Sequence, residues 1–301
     1  MAMLKVKDDR NRDLMFGAPP KRIVSLVPSD TLSVIELGGA SALVGRTDYC
    51  DTPADVVASI PKIGGTKNPD LAAIMALEPD LILANQEENT KSDLEKLAQQ
   101  GFRVYVAFPR RVADGMNHLA KLARILGVAR DPKVRAFCKE GYEAVRAAEA
   151  SRDVVRRVRT FCPIWMDPLM TIHGDTFISD MLDLAGADNV FAERKRLYPL
   201  AADLGKRAPL GLDAVGARDV RYPRITMDEL VLASPELVVL PDEPHPFTDA
   251  DADVFRALPI PAASRGAIVK TSGKDLCWYG SQSVHGIARV RALIDSYRGG
   301  L

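Results

Sequence analysis

The sequence predicts an α/β protein of two Rossmann-like lobes with parallel sheets, joined by one long α-helix. Three observations predict it. Short apolar runs alternate with helical patterns through residues 1–128, the rhythm of βαβ units. From Asp131 to about Arg159 no proline interrupts beyond Pro132, and Val134, Phe137, Cys138, Tyr142 and Val145 recur at helical spacing. The second half then echoes the first. Residues 37–45 (LGGASALVG) are matched by 184–192 (LAGADNVFA), and 74–83 (IMALEPDLIL) by 230–239 (LVLASPELVV).

The elements follow in order. Residues 22–27 (RIVSLV) form a short apolar strand ended by Pro28, and Ser29 or Asp30 caps a helix that stops at Gly38-Gly39. Residues 42–45 make the second strand. A helix over 71–77 ends before Pro79, because the residue ahead of a proline avoids the α region. The unbroken apolar run at 80–84 (DLILA) reads as a buried parallel strand. A helix over 91–100 stops at Gly101, residues 103–107 (RVYVA) are a strand, and a further helix runs to about Leu126-Gly127. Asp131-Pro132 opens the long helix with a cap and a first-turn proline. About 27 residues at about 1.5 Å each give it about 40 Å, enough to cross from one lobe to the other. The expected organisation is a first lobe over 1–128, a connecting helix over 129–159, and a second lobe over 160–301. A segment at about 193–220, rich in charge, Gly and Pro, reads as an inserted loop.

Composition excludes several functions. A length of 301 residues suits two lobes, and 47% hydrophobic residues supply both cores. Lys plus Arg number 40, as do Asp plus Glu, so no net field draws nucleic acid or an anionic membrane. Residues 1–20 are dense in charge and lack the apolar core of a secretory signal. The expected location is cytoplasmic as written, or periplasmic (extracytoplasmic) if a signal has been trimmed. Cys50, Cys138, Cys162 and Cys277 lie far apart with no CxxC pair, which argues for reduced, mostly buried thiols.

Catalytic signatures are missing. No GxGxxG follows a strand, no Walker loop or GxSxG elbow is present, and Gly64-Gly65-Thr66-Lys67 reads as a turn. The chain is therefore expected not to be an enzyme. His118 falls in a helix and reads as structural, and His285 lies early in the last helix. His173 and His245 fall in loops after strands, where parallel sheets line ligand crevices, but without metal-site spacing. Tyr49 follows the second strand, Tyr222 precedes Pro223, and Trp278-Tyr279 opens the last helix. Such loop aromatics serve either ordinary packing or a flat face for a ring-bearing ligand.

Seven segments together resemble a known family: 21–29 (KRIVSLVPS), 43–51 (LVGRTDYCD), 63–65 (IGG), 77–82 (LEPDLI), 174–177 (GDTF), 185–191 (AGADNVF) and 222–226 (YPRIT). They resemble the metal-chelate substrate-binding proteins of ABC importers, the class III or helical-backbone group, and most of all its vitamin B12-binding members. The likeness covers nearly the whole chain. It implies non-enzymatic binding of a corrinoid, with cobalamin first, or of haem or a ferric siderophore, in a cleft between the lobes of a monomer. It places Tyr49, Phe191 and Tyr222 against the corrin and Trp278 in a segment that adds contacts. With Cys50, Thr66, His173, His245 and Tyr279 these form the expected ligand-binding set. Haem would take an axial ligand from Tyr49 or His173. An anionic siderophore would draw on Arg46, Lys67, Arg110 and Arg111.

The resemblance also implies one acidic residue per lobe facing the importer permease. That position falls on Asp228 in the second lobe and on Ala72, which cannot pair, in the first. A cytosolic corrinoid carrier or sensor is therefore carried beside the importer component. A two-lobed chelatase or glycosyltransferase stays as the enzymatic alternative, with Asp48, Asp51, His173 and Asp175 as its candidate cluster.

Overall fold

The chain opens with a hairpin that its alternating pattern LKVK and DLMF encodes but that the reading above left out. Strands β1 (Leu4–Lys7) and β2 (Asp13–Phe16) pair antiparallel and turn Val6, Leu14 and Phe16 inward. Buried Asp8 closes the turn by accepting the amides of Arg10 and Arg12 at 3.0 and 2.8 Å and pairing with the Arg12 guanidinium at 2.7 Å. This computed structural model describes residues 3–152 and 154–299. Two units divide the chain, Met1–Glu143 with Trp278–His285, and Ala144–Cys277 with Gly286–Leu301.

In the first unit, β3 (Ile23–Ser25), β4 (Leu43–Arg46), β5 (Leu81–Asn85) and β6 (Val104–Ala107) form a parallel sheet in the order β4-β3-β5-β6. Every residue of β3, β5 and β6 is buried, which is why their sequences are mostly apolar, with Ser25 and Asn85 at the carboxyl ends of β3 and β5. The second unit holds β7 (Val158–Phe161), an antiparallel pair β8 (Pro163–Trp165) and β9 (Met170–Thr171), then β10 (Ala187–Asn189), β11 (Leu237–Pro241) and β12 (Ile268–Thr271). Its parallel sheet runs β10-β7-β11-β12.

The two orders are the same. In each sheet the first strand lies between the second and third, with the fourth at one edge. The sequence echoes fall on equivalent elements. One covers the helix end before β4 and before β10, where Gly38 (φ 84°) and Gly186 (φ 89°) both take the left-handed cap. The other covers the helices Leu71–Ala76 and Met227–Ala233 with the strands after them.

Three expectations change. The long helix is Pro132–Ser151, 20 residues, and does not reach residue 159. Lack of proline permits a helix without requiring one, and Val155, Val158 and Thr160 are β-branched residues that lead into β7. The division between units falls inside this helix, after Glu143. Next, the helix Pro28–Glu36 starts without a side-chain cap. Val27 is the N-cap, Pro28 sits in the first turn, and Ser29 and Asp30 are buried inside the helix. Last, Trp278 and Tyr279 lie between the helices Gly273–Cys277 and Ser281–Arg298 and belong to the first unit.

None of the four cysteines forms a disulfide among the described residues, and Cys50 and Cys162 are buried. Burial pushes the Cys162 thiol up to about 12 and raises those of Cys50 and Cys138. A thiolate is the reactive form. Ellman's reagent should therefore modify only Cys138 and Cys277 in the native protein, and Cys50 and Cys162 only after unfolding. Rapid release of four equivalents under native conditions would contradict this packing.

Candidate functional site

Ligands of parallel α/β sheets meet the loops that leave the carboxyl ends of the strands, so each unit is described from there. In the first unit, the loop after β4 is braced by residues 61–65. Ile63 donates its amide to Arg46 O, and Asp48 donates to Gly64 O, both at 2.9 Å. Gly64 holds φ 88°, with space for a Cβ closed to 3.0 Å by Asn68 O. This support raises Tyr49 to the surface, where 64% of it is exposed. A Cβ on Gly65 would stand 3.5 Å from Tyr49 Cε2, so the ring lies along the bare glycine backbone.

The neighbours of Tyr49 are engaged inward. Cys50 is 1% exposed, and its Sγ lies 3.1 Å from the hydroxyls of Thr31 and Thr47. It anchors the loop and has no free face for a ligand. Arg46, a candidate for an anionic ligand, instead donates to Val57 O at 2.8 Å and Thr47 O at 3.2 Å from a buried position. Lys67 donates to Glu87 O, while Arg110 and Arg111 are exposed. Thr66 sits at the edge of burial. Its carbonyl accepts from Asn89 Nδ2 at 2.9 Å, and the same amide reaches Leu26 O and takes the Asn85 N–H. One side chain thus ties the ends of β3 and β5 to the 64–67 turn.

Trp278 and Tyr279 are buried. The Tyr279 ring meets His118 edge-on at 5.3 Å. Burial raises its hydroxyl pKa well above the ordinary value, with Asp30 and Asn85 beside it. His118 is structural, as expected. Its Nε2 lies 2.6 Å from Asp30 Oδ1 and its Nδ1 3.4 Å from Tyr105 Oη. His285 lies 3.4 Å from Glu140 in an exposed pair.

In the second unit, the chain leaving β7 passes through Cys162 into Trp165, whose indole is 44% exposed. Trp165 Nε1 donates to Asp167 O at 2.9 Å, and the ring packs against His245 at 5.2 Å. His245 arrives on the loop after β11 and meets Phe247 edge-on at 4.6 Å. Phe191, after β10, is buried and edge-on to Phe161 at 5.6 Å, a core contact. Tyr222 is half-buried, with the Arg221 guanidinium 5.5 Å from its ring centre.

His173 is held by its own loop. Its amide donates to Arg221 O at 2.8 Å and its Nδ1 accepts the Asp175 amide at 3.0 Å. An accepting Nδ1 leaves the ring proton on Nε2. That atom is shielded and has no hydrogen-bond partner among the described residues. It is a donor, not the lone pair an axial metal ligand needs.

Residues 193–220 are not a free loop. They contain the short helices Leu200–Asp203 and Leu212–Val215 and are anchored by buried Asp203. The Asp203 carboxylate accepts the amides of Leu197 and Arg224, both at 2.8 Å, and pairs with Arg194 at 3.2 Å. Arg194 also meets Glu229 at 3.0 Å. A cavity of about 690 Å³ opens beside this anchor, lined by Arg194, Lys195, Asp203 and Glu229 among others. Arg194, Asp203 and Glu229 match one another, and Lys195 is exposed. Close by, Arg196 and Arg224 carry guanidinium nitrogens that are shielded yet have no partner among the described residues. A buried polar group left so costs about 1–3 kcal/mol, more when charged.

Asp228 is exposed in the first turn of its helix, behind a Thr226–Glu229 capping box, and Ala72 is exposed in the helix Leu71–Ala76. Among the described residues, no group of three or more His, Cys, Asp or Glu could hold a metal ion. No helix among them is long and apolar enough to cross a membrane.

The family described as periplasmic binding protein matches residues 23–228, more than half of the chain. The chain belongs to this periplasmic binding protein family. Among curated relatives, the vitamin B12-binding protein of Vibrio parahaemolyticus is 27% identical over 186 residues, 62% of this chain and 66% of that protein. The matched stretch thus spans just under two thirds of that relative's length. Among solved structures, the periplasmic vitamin B12-binding protein BtuF of Vibrio cholerae superposes with a TM-score of 0.71 at 16% identity, over 94% of this chain and 99% of that one. The apo periplasmic heme-binding protein RhuT of Roseiflexus sp. RS-1 gives 0.73 at 16% identity, over 92% and 99%. At these identities the structures share the fold.

Near these loops, Trp165, Arg196 and Arg224 are the residues that the sequence reading did not single out. Trp165 was findable, because it closely follows β7 in a chain with two tryptophans. Extending the long helix across residues 158–159 hid that strand. Arg196 and Arg224 had no local signal.

Proposed function

We propose that this chain binds a metal-containing, tetrapyrrole-like chelate without transforming it, cobalamin first, as the substrate-binding component of an ABC importer or as a carrier of the same ligand. The observation that carries the reading is the pair of exposed aromatic rings at carboxyl strand ends, Tyr49 in the first unit and Trp165 in the second, 64% and 44% exposed. Covering large flat rings with a flat apolar partner removes them from water and is favourable. A corrin macrocycle is such a partner. Relatives described as vitamin B12-binding and heme-binding support the ligand class.

Tyr49, Thr66, Trp165, His173, Tyr222 and His245 are the proposed contacts, with His173 Nε2–H donating to an amide oxygen on the macrocycle edge. A corrinoid cobalt brings most of its own ligands, so the proton on His173 Nε2 favours cobalamin over a haem ligated by that histidine. Haem is the second reading, because the exposed Tyr49 phenol could ligate iron. Exposed Asp228 is the proposed permease contact of the second unit, and Ala72 offers none in the first.

The test is titration of the purified protein with cyanocobalamin and with haemin, followed by visible absorbance and tryptophan fluorescence. Cyanocobalamin should bind with micromolar or lower Kd. Tyr49→Ala or Trp165→Ala should each weaken it about 10–100-fold, the loss of about 1.5–3 kcal/mol of ring burial. Tighter binding of haemin, lost in Tyr49→Phe, would move the assignment to haem. No binding of either would remove the ligand class.

A further inference from the structure

Resting on that reading, we infer that the second unit carries an oxyanion site formed by Arg196 and Arg224, which takes an anionic group of the chelate, a phosphodiester or a carboxylate. Neither guanidinium can lose its proton near neutrality, so each must be matched by an acceptor. Nε of Arg196, with Nε and Nη1 of Arg224, is shielded from water and bonded to nothing among the described residues. The two side chains are close enough to feel each other. Burial first, and the Arg196 charge next, lower the Arg224 pKa.

The surrounding acids are committed elsewhere. Asp203 serves Arg194 and the amides of Leu197 and Arg224. Glu229 takes Arg194 and the Thr226 amide. Asp219 receives Arg221 through two guanidinium bonds at 3.0 and 2.6 Å. What remains is two neighbouring cations that feel the charges of Asp219 and Asp203 but whose shielded N–H groups, Arg196 Nε and Arg224 Nε and Nη1, meet no acceptor among the described residues.

Both are also held in place. The Arg196 guanidinium lies 4.8 Å from the Tyr198 ring centre, and its backbone amide donates to Val220 O at 2.7 Å. Arg224 is pinned at its amide by Asp203 and at its carbonyl by Arg194 Nη2, 3.3 Å away. A pair of planar donors matches an oxyanion and discriminates against an amide, which offers no charge. The 193–220 segment supplies Arg196, Tyr198 and Asp203, so this inserted part builds the site.

The experiment uses the full chain, Arg196→Gln/Arg224→Gln, and Arg196→Lys/Arg224→Lys, which keeps charge but loses the fork. Three measurements are made on each. Cyanocobalamin, which carries a phosphodiester, is compared with dicyanocobinamide, which lacks it. Haemin is compared with its dimethyl ester. Inorganic phosphate is titrated calorimetrically at low and high salt.

The wild type should prefer the anionic member of a pair at least tenfold. The Gln variant should lose that preference without weakening binding of the uncharged member, and the Lys variant should keep part of it. Preference in the first pair identifies a phosphodiester, and in the second a carboxylate. If cyanocobalamin or haemin binds but neither preference changes in the Gln variant, the oxyanion site is overturned and the chelate reading stands. If no macrocycle binds, the chelate reading falls and phosphate decides the site. Saturable, salt-sensitive binding lost in the Gln variant sustains it, and its absence overturns it.

Discussion

Asp30→Ala should lower the unfolding free energy of the first unit by about 3–5 kcal/mol, because it removes one partner of a fully buried polar pair. Asp30 and His118 are both buried, 2.6 Å apart. The Tyr105 hydroxyl lies 3.4 Å from His118 Nδ1, and on the other side of the ring an ionised carboxylate can only accept. His118 Nε2–H is then the donor to Asp30. Removing the carboxylate leaves that donor without an acceptor in a site that excludes water, and opens a gap beside Tyr279. Asp30 also sits in the first turn of Pro28–Glu36, where a negative charge faces the helix dipole favourably.

Urea unfolding followed by circular dichroism measures the loss. The paired replacement Asp30→Leu with His118→Leu separates causes. It removes both polar groups and should recover much of the stability, since an apolar pair of similar volume is often neutral or better. A double variant as unstable as Asp30→Ala would show that Asp30 acts through something other than His118.

Asp203→Ala should be comparably damaging, about 3–5 kcal/mol, but confined to the second unit. The carboxylate is buried and accepts two backbone amides and a guanidinium at once. Without it Arg194 keeps Glu229 and its backbone carbonyl acceptors, while the amides of Leu197 and Arg224 lose their acceptor. The 193–220 segment should then detach before the unit unfolds. Limited proteolysis should cut within this segment in the variant under conditions that leave the wild type whole. Asp203→Asn keeps one acceptor oxygen and should lose less, about 1–3 kcal/mol. Equal protease resistance in wild type and Asp203→Ala would mean the segment is held by other contacts.

The elements were legible where local pattern and burial agree. The runs DLILA and RVYVA are largely apolar because every residue of β5 and β6 is buried, and burial demands that of any sequence. The echo at Gly38 and Gly186 marks helix ends where only glycine takes the left-handed turn cheaply. The long helix was overextended for the opposite reason. Nothing in the run past Ser151 forbids a helix, and it becomes a strand at Val158 because β10 and β11 flank it.

Tyr49 and Cys50 show the same division at one step in the chain. Both were read as ligand contacts from a shared segment, yet one is open and the other fills a pocket between Thr31 and Thr47. Which neighbour faces out depends on what packs behind the loop, and that comes from residues 19 positions away. Trp278 and Tyr279 looked like a loop pair available to a ligand, but Asp30, Asn85 and His118 receive Tyr279 inside the first unit.

The sequence by itself therefore determined the class of fold, the duplication, the family and the loop aromatics. Those properties rest on local periodicity, glycine conformation and the apolarity that burial imposes. Only the tertiary structure decided which aromatics are open, that His173 presents an N–H, and that Arg196 and Arg224 hold shielded N–H groups with no acceptor among the described residues. These depend on distances between residues remote along the chain, which no local pattern encodes.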